Sequence, residues 1–405
     1  MTARLPSGFS RLAWSNLAAQ SAEQVGLAAA PIVAVLALGA GAGETGLLQT
    51  AQTLPFLLLT IPAGVLADRM SRRRLMSFAE ALRVMSLIGI LALAASGLLS
   101  LPLLALLGFI GACGTVAYSV SAPALVPALV PPEALAAANG RIELARTVAF
   151  VAGPALAGAL VGCTGAAPAF GFAAALSTCA VFLLAGLREP ARSALPPRSP
   201  RHEILEGAGF VFRHRLLLPV YLTQVVFNTA FFMLQAVYVP YAVHTLGLSA
   251  AHVGFTLATY GAGMVVGALL AAQITRALPF GMVIALGPVA GLVAAVVMVL
   301  TVWVPSPWLA GISFFLIGVG PIVWVISTAT LRQTITPRDL LGRVTAINTT
   351  AYGSRPVGAA LGAFVGGVYG AETCLVVAAL GFLIQALVIV MSPVLRLVRQ
   401  PAMVG

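Results

Sequence analysis

Residues 45–74 read TGLLQTAQTLPFLLLTIPAGVLADRMSRRR, an uncharged and mostly apolar run that ends in a cluster of charged side chains. The uncharged part, 45–67, is long enough to cross the ~30 Å hydrocarbon layer of a bilayer as an α-helix. Arginine then occupies four of the positions 69–74, and arginine is enriched in loops on the cytoplasmic side of membranes. The stretch therefore predicts a membrane-spanning helix and the side on which it ends.

Similar apolar runs recur along the whole chain. Of its 405 residues, 60% are hydrophobic and only 8% are charged, with a mean hydropathy of +1.03, which excludes an ordinary soluble protein. Backbone groups in lipid must be hydrogen-bonded within their own segment, and the runs lack the alternation of a barrel strand, so helices are expected. The predicted spans are 12–38, 45–67, 75–96, 101–124, 138–162, 167–187, 216–243, 250–275, 280–303, 308–330, 343–369 and 373–395.

The net charge of +11 comes from 22 basic residues, all of them arginine. Basic chains often bind nucleic acids. These arginines, however, fall in alternate loops, which is the positive-inside pattern of a membrane protein. We therefore expect no nucleic-acid partner, a multi-pass protein of the bacterial inner (cytoplasmic) membrane, and both termini in the cytoplasm. The loops with arginine are centred on residues 4–11, 69–74, 141–146, 188–215, 276, 332–343 and 396–399.

The longest polar stretch, 188–215, divides the predicted spans six and six. It is rich in proline and charge, as linkers between domains are, so it separates an N-terminal bundle (1–187) from a C-terminal bundle (216–405). The halves also repeat weakly: Pro131 matches Pro337 at an offset of 206, and Gly46 matches Gly254 at an offset of 208. Parallel repeats of this kind are typical of transporters whose substrate site lies between the halves. The predicted fold is all-α, with twelve transmembrane helices in two pseudo-symmetric six-helix bundles.

The charged end of the first stretch reads Gly64-Val-Leu-Ala-Asp68-Arg69-Met-Ser-Arg72-Arg73-Arg74. It resembles the signature loop of the major facilitator superfamily, and the resemblance extends over nearly the whole chain. In that family the loop latches the two halves on the cytoplasmic side in the outward-facing state. A carboxylate at a helix end suits such a latch, since it accepts hydrogen bonds from arginine and from the N-terminus of a neighbouring helix. The latch residues implied here are Gly64, Asp68, Arg69, Arg72 and Arg73.

Two further stretches, within 203–214 and 331–344, resemble the branch of this family that contains the enterobactin and macrolide exporters. In the fifth span, Gly153-Pro154-Ala-Leu-Ala-Gly158 is similar to the motif associated with antiporters in the superfamily. The resemblance therefore implies export rather than uptake, with protons as the exchanged ion. Two departures complicate a simple proton relay. The span 101–124 lacks the arginine that many proton-coupled antiporters carry there, and Arg276 occupies the second-half position of the latch aspartate.

Two predicted spans carry polar or aromatic side chains at helical spacing. In 12–38 they are Asn16, Gln20 and Glu23; in 216–243 they are Gln224, Asn228, Phe231, Gln235 and Tyr238. Residues at this spacing share one face of a helix, and polar faces within a membrane turn toward a cavity or the bundle interior. The resemblance implies that these two helices line the central cavity, so we expect the named side chains to face it.

Glu23 is the one carboxylate that we expect well inside a span. Buried carboxyl groups can exchange protons near neutral pH, which makes Glu23 the candidate for proton coupling. The alternative is a structural residue bound permanently to an arginine or an amide. Arg355, about midway through 343–369, is a candidate substrate anchor or the partner of Glu23; the alternative is an arginine that serves snorkelling or packing.

Two pairs, Arg83 with Glu80 and Arg146 with Glu143, have the i,i+3 spacing of local ion pairs near the arginine-bearing end of their helices.

The predicted function is export of an amphipathic small molecule, either a drug-like compound or a siderophore or other natural product, by alternating access. Uptake by proton symport is the alternative, followed by a membrane scaffold or sensor that transports nothing. The chain shows no P-loop, zinc-ligand helix or nucleophile elbow, so we expect no enzyme, cofactor or metal site. The expected partners are the small-molecule substrate, protons and the lipid bilayer, and the chain is expected to be a monomer.

Overall fold

The computed structural model describes residues 7–131, 134–189, 200–337 and 340–401, without the side chains of Ser7, Asp68, Ala124, Ala136 and residues 200–203. The first part of the chain folds into six long helices. They are α1 (Ser7–Leu36), α2 (Ala42–Arg69), α3 (Arg72–Ala95), α4 (Leu101–Leu129), α5 (Leu135–Thr164) and α6 (Ala166–Ala185).

A short helix, α7 (Pro200–Arg213), precedes the helices of the second part. Those helices are α8 (Leu217–His244), α9 (Ala250–Ala277), α10 (Phe280–Leu300), α11 (Pro307–Ile335), α12 (Leu341–Thr350), α13 (Arg355–Tyr369) and α14 (Ala371–Val390). Two 3₁₀ turns, at Ala351–Ser354 and Pro393–Arg396, complete the regular structure of the described ranges.

Within the described ranges, eleven helices are long and apolar enough to cross a membrane: α1–α6, α8–α11 and α14. The predicted span 343–369 differs, because the 3₁₀ turn at Ala351–Ser354 splits it into α12 and α13. The break lies just before Pro356, which has no N–H to continue the helical hydrogen-bond ladder. The prediction of one continuous helix here is wrong. The eleventh crossing along the chain is a helix, a turn and a second helix, and the twelve-helix architecture stands.

Each half has buried apolar clusters of its own. In α1–α6 one cluster surrounds Phe9 and Tyr118, and another surrounds Phe170. In the second half the clusters surround Phe382 and Trp324, and the cluster around Phe382 also includes Ile32 and Val35 of α1. Large apolar side chains elsewhere on the helices are exposed on the outside of the bundle, which is the surface that a membrane protein presents to lipid. The fold is therefore a multi-pass helical membrane protein in two halves.

The two ends of the bundle differ in charge. One end carries the loops at 37–41, 96–100, 165, 245–249, 301–306 and 370, none of which contains arginine; we call it the arginine-free end. The opposite, arginine-rich end carries α7. There α7 packs on α12, where Glu206 forms an ion pair with Arg343 and Gly207 lies against the backbone of Arg343.

The halves meet most closely toward the arginine-free end. On one side α5 crosses α9, where a Cβ at Gly158 would overlap the carbonyl oxygen of Ala250 and lie 2.8 Å from the Cα of Gly254. On the other side α2 crosses α13, where a Cβ at Gly43 would lie 3.0 Å from the Cα of Gly367. Helices approach this closely in membranes only through small residues. The described bundle is thus closed at its arginine-free end.

Candidate functional site

A cavity of about 270 Å³ lies between the halves, near the middle of the helices. Its walls come from α1–α6 on one side and from α8, α9, α11 and α13 on the other. Small-molecule sites are commonly concave, largely apolar and furnished with a few polar groups, and this cavity has that character. Its aromatic lining consists of Phe56, Phe150, Phe170, Phe227, Phe231, Phe232, Tyr260 and Phe314, and its charged lining of Glu23, Arg83, Arg146 and Arg355.

The structure brings only part of the predicted polar faces to this cavity. Lining residues among the candidates are Glu23, Asn228, Phe231, Gln235 and Arg355. The remaining candidates are not among the lining residues: Asn16, Gln20, Gln224 and Tyr238.

Contacts explain where the other candidates go. The amide of Asn16 donates to the carbonyl of Ile142 on α5 at 3.5 Å, and the hydroxyl of Tyr238 donates to Thr256 on α9 at 2.5 Å. Gln224 is buried, and its backbone carbonyl accepts a hydrogen bond from Asn228. Asn16 and Tyr238 are therefore held by neighbouring helices, although Val239, the residue after Tyr238, lines the cavity.

Glu23 faces a partner on α3. Its carboxylate lies 3.6 Å from the guanidinium of Arg83, and its side chain is 17% exposed. Arg83 also donates to Glu80 at 2.6 Å, and Glu80 is fully buried. The predicted local pair therefore exists, but it lies in the interior and not at a helix end. Glu23 is not the one carboxylate buried in a span, and its described ion-pair partner is Arg83, not Arg355.

The Arg83 guanidinium joins several helices. It donates to the carbonyl of Ala19 on α1 at 3.1 Å and to the hydroxyl of Thr115 on α4 at 2.8 Å. Beyond it, Ser177 on α6 donates to Glu80 at 2.5 Å. Glu80 thus has an ionic partner and a hydroxyl donor away from the cavity, whereas Glu23 holds the longer ion pair and lines the cavity. One guanidinium lies between two carboxylates, so full ionisation leaves this buried network with a net negative charge.

Arg355 lies in the opposite half, at the first residue of α13. Its Nε donates to the side-chain oxygen of Asn228 on α8 at 3.1 Å. Its guanidinium carbon lies 4.3 Å from the ring centroid of Tyr352, 4.8 Å from that of Phe56 and 5.2 Å from that of Phe232. These distances are within cation–π range. Because Phe56 belongs to α2, Arg355 connects the two halves across the cavity.

The other predicted pair, Arg146 with Glu143, lies on α5 at 3.6 Å, with both side chains substantially exposed. Arg146 also contacts the ring of Phe150, at 5.6 Å from its centroid.

A third polar face, on α2, was not predicted from the sequence. Gln49, Gln52, Thr53 and Phe56 all line the cavity. They stand at positions i, i+3, i+4 and i+7, the same spacing that identified the faces of the other two helices. That spacing was the signal that could have found them. The burial of Arg83 and its contact with Glu23 were harder to predict, because Glu80, three residues earlier, already offered Arg83 a local ion-pair partner.

The antiporter-like motif lies where α1, α5 and α9 meet. Gly153 packs against Gln24 of α1, and the carbonyl of Pro154 lies against Gly254 of α9. Gly158 forms the close crossing with α9 described above. The motif therefore contributes to the contact between the halves.

The predicted latch lies at the arginine-rich end, between α2 and α3. Gly64 has open space around its Cα, and Arg69 is exposed in the last turn of α2; the side chain of Asp68 lies outside the described residues. Arg73 donates to the carbonyls of Ala185, the last residue of α6, and Leu187, at 3.1 and 3.2 Å. These contacts stay within the N-terminal half.

Glu189 lies against the start of α3, next to the latch. Its carboxylate accepts from the hydroxyl of Ser71 at 2.5 Å and from the backbone N–H groups of Arg72 and Arg73, each at 3.1 Å. Burial opposes ionisation of Glu189, but the hydrogen bonds from Ser71, Arg73 and Arg72 outweigh it, so the pKa of Glu189 is lowered. The carboxylate therefore stabilises the positive N-terminal end of α3.

Comparison with known proteins is consistent with this geometry. The family described as Major Facilitator Superfamily matches residues 12–363. The enterobactin exporter EntS of Citrobacter koseri is 31% identical over 349 residues, which cover 84% of this chain and 80% of the relative. The multidrug efflux pump Tap of Mycobacterium tuberculosis is 25% identical over 405 residues, which cover 95% of this chain and 93% of the relative.

Solved structures share the fold at lower identity. A bacterial homologue of the human lysosomal transporter Spinster, in an inward-facing and unoccupied conformation, superposes with a TM-score of 0.73 at 16% identity and covers 97% of this chain and 98% of its own. A bacterial homologue of the iron transporter ferroportin, in an inward-facing state, gives a TM-score of 0.70 at 16% identity, with coverage of 94% and 98%. With a central cavity between two six-helix halves and a family match across most of its length, the chain belongs to the Major Facilitator Superfamily of membrane transporters.

Proposed function

We propose that this transporter exports amphipathic small molecules by alternating access and exchanges them for protons. Two relatives that cover most of the chain carry the names of exporters, one for enterobactin and one for multiple drugs. The aromatic cavity between the halves suits a bulky, partly apolar ligand. Transport by alternating access also gives a role to Gly153, Pro154 and Gly158 of α5, because they lie at the contact with α9 that would open and close.

The observation that carries the proposal is the place of Glu23. It lines the cavity and lies 3.6 Å from Arg83, which is already paired with Glu80 at 2.6 Å. When Glu23 holds a proton, the remaining pair of Arg83 and Glu80 is neutral. When Glu23 loses it, the network carries a net negative charge that is costly to bury. Protonated Glu23 therefore favours a state in which water does not reach this wall of the cavity. Deprotonated Glu23 favours a state in which water does reach it.

We assign the arginine-free end to the outside of the cell, following the distribution of arginine. The closed crossings at Gly158 and Gly43 then make the described state inward-facing. In the alternate state these crossings separate and the latch of Gly64, Asp68, Arg69, Arg72 and Arg73 holds the cytoplasmic ends together. With this assignment, we propose that both chain termini lie in the cytoplasm and that the membrane is a bacterial inner membrane.

The experiment uses everted membrane vesicles in which respiration makes the lumen acidic, with a pH-sensitive dye that reports the gradient. A panel of cationic drugs, macrolides and aromatic acids is added in turn to vesicles with the natural chain, Glu23→Gln or Glu143→Gln. Glu143 is the matched control because it is a carboxylate of the same length on the exposed surface of α5. A compound exchanged for protons will dissipate the gradient.

We expect at least one compound to dissipate the gradient with the natural chain and with Glu143→Gln, and to lose this effect with Glu23→Gln. An equal response in all three would remove Glu23 from the coupling mechanism. Accumulation of compounds in right-side-out vesicles or cells, driven by the same gradient, would instead establish uptake by symport and overturn export.

A further inference from the structure

The charges that line the cavity are unequal in number. Among the described residues, three arginines and one glutamate line it: Arg83, Arg146, Arg355 and Glu23. Three carboxylates compensate them if the ion-pair partners Glu80 and Glu143 are counted with Glu23. An anion is therefore attracted to the guanidinium that lacks a carboxylate partner in this low-dielectric surrounding. The question is which arginine remains available to a ligand.

Two of the arginines are already paired. Arg83 lies between Glu80 and Glu23, at 2.6 and 3.6 Å. Arg146 lies 3.6 Å from Glu143 at the exposed side of α5. A guanidinium that already has a carboxylate partner gains less from a second one, because part of its charge is compensated.

Arg355 differs from both. Among the residues that the structure describes, no carboxylate lies within ion-pair distance of Arg355. Within the described part of the chain, the side chain of Arg355 makes its hydrogen bond through Nε, which donates to the side-chain oxygen of Asn228 at 3.1 Å. The two terminal nitrogens have no acceptor in that part of the chain. Those nitrogens form the edge of the guanidinium that binds carboxylates in a bidentate manner.

The position of this guanidinium is set before any ligand arrives. The side-chain amide of Asn228 donates to the backbone carbonyl of Gln224 at 2.8 Å, which directs the amide oxygen of Asn228 to Arg355 Nε. Asn228 itself is buried. Because the contact with Asn228 occupies only Nε, it orients the guanidinium and leaves its terminal edge to a ligand.

Aromatic rings surround the same group. Tyr352, Phe56 and Phe232 place their rings 4.3 to 5.2 Å from the guanidinium carbon. They partly replace the hydration of the cation but supply no counter-charge. Beside them, Phe231 stacks on Tyr260 at 5.7 Å between ring centroids. This gives a flat apolar wall next to a cation, which suits a ligand with an aromatic ring and a negative group.

We propose that the cavity binds aromatic anions, and that the terminal nitrogens of Arg355 hold the anionic group while the phenylalanine and tyrosine rings hold the aromatic part. This substrate class rests on the proposed export function, since it concerns the same cavity. Glu23 then serves the proton and not a cationic ligand, because Arg83 faces it.

Calorimetric titration of the purified protein in detergent tests this, with empty micelles as the blank. The probes are 2-naphthoate, 2-naphthamide and 2-naphthylmethylammonium, which share one ring system and differ in charge. The variants are Arg355→Gln, Arg355→Lys and, as the matched control, Arg146→Gln, which removes a cavity arginine that has its own carboxylate. The amide probe checks that each variant keeps a folded cavity.

We expect naphthoate to bind the natural protein about tenfold more tightly than the amide, which corresponds to one charge-assisted contact, and the ammonium probe to bind least. Arg355→Gln should reduce naphthoate to the affinity of the amide without changing the amide. Arg355→Lys should retain an intermediate preference, and Arg146→Gln most of it. Preference for the ammonium probe, no binding of any probe, or equal losses with Arg355→Gln and Arg146→Gln would overturn the assignment.

These outcomes separate the substrate class from export. Naphthoate binding that depends on Arg355, with no compound dissipating the gradient in vesicles, would leave the anion site standing and overturn export. Proton exchange with cationic compounds, together with naphthoate binding that Arg355→Gln does not change, would support export and overturn the anion site.

Discussion

The guanidinium of Arg83 donates to the carboxylate of Glu80 at 2.6 Å, and both side chains are buried inside the N-terminal half. Although both residues lie on α3, their contact determines how strongly Arg83 depends on a third residue, Glu23 of α1. Because Arg83 is compensated by Glu80, the negative charge of Glu23 is not needed to keep Arg83 in place. Glu23 is left at 3.6 Å from Arg83 on the side of the cavity.

The first prediction separates the roles of these two carboxylates. Glu80→Gln leaves Arg83 with one distant carboxylate, and removal of one partner from a buried ion pair costs about 3–5 kcal/mol. We expect a clear loss of thermal stability in detergent, measured by intrinsic tryptophan fluorescence. Glu23→Gln should have a much smaller effect, since the Arg83–Glu80 pair survives. Equal losses of stability would mean that the three groups act as one structural unit.

The second prediction concerns the crossing of α5 and α9. Gly158→Ala places a Cβ against the backbone of Ala250 and Gly254, and overpacking of this kind costs about 1–3 kcal/mol in the closed state. The ratio of closed to open molecules at the arginine-free end should fall by about 5- to 150-fold, measured by reaction of a cysteine introduced at that end with a membrane-impermeant thiol reagent.

Gly162→Ala is the matched control for Gly158→Ala. A Cβ there would meet Ala250 Cβ at 3.5 Å and Ala251 N at 3.6 Å, which is ordinary packing distance. We expect its reagent accessibility and transport to stay near those of the natural chain. If both variants behave alike, the crossing is not where the bundle opens.

The third prediction uses the carboxylate at the start of α3. The pKa of Glu189 is lowered in the folded protein, so its stabilising contribution is present above the unfolded-state pKa of about 4.3 and is lost as pH falls through the folded-state pKa. Glu189→Gln should cost about 1 kcal/mol at pH 7, the usual size of a helix-capping interaction, reduced by solvent screening.

Thermal unfolding between pH 3 and 8 checks the behaviour of Glu189→Gln. The difference from the natural chain should shrink as the pH is lowered below about 4, since protonation of Glu189 removes the same interaction. Glu143→Gln, which alters an exposed and longer pair, should show little difference at any pH. A gap that is independent of pH would exclude the charge of Glu189 as its origin.

The fourth prediction concerns the contact of Phe56 with Arg355 across the two halves. Phe56→Leu removes one aromatic face from the guanidinium, at a cost of about 0.5–2 kcal/mol. We expect the affinity for 2-naphthoate to fall by about two- to thirtyfold, with a smaller change for 2-naphthamide. Phe78→Leu is the control, because Phe78 is 65% exposed on the outside of α3. A loss of equal size for both probes would mean that Phe56 contributes packing and no positioning of Arg355.

Much of this architecture can be inferred from the order of residues alone. The transfer of an uncharged segment such as 45–67 into lipid is favourable whatever the rest of the chain does, so spans can be recognised one at a time. The missed break at Ala351–Ser354 shows the limit of that reasoning. Hydropathy reports whether a segment enters the membrane, and the hydrogen bonding at Pro356 determines whether it stays one helix.

The site could be predicted only in part. Helical spacing correctly groups residues on one face, but it does not say which neighbour that face meets. Asn228 and Tyr238 share a predicted face, yet the first reaches the cavity and the second binds Thr256. The rotation and tilt of each helix depend on packing against its neighbours, which is a property of the assembled bundle.

The membrane-spanning segments, their division into two halves and the charge difference between the ends of the bundle are properties of the chain itself, because each depends on local composition. Which charges are compensated is a different matter. Arg83 and Arg355 are both arginines in predicted spans. Only the packing of α3 against α1 brings a second carboxylate, Glu23, to Arg83, and only the packing of α13 against α8 brings an amide oxygen to Arg355. Coulombic and hydrogen-bond energies depend on distances of a few ångströms between residues far apart in sequence, and the tertiary structure alone sets those distances.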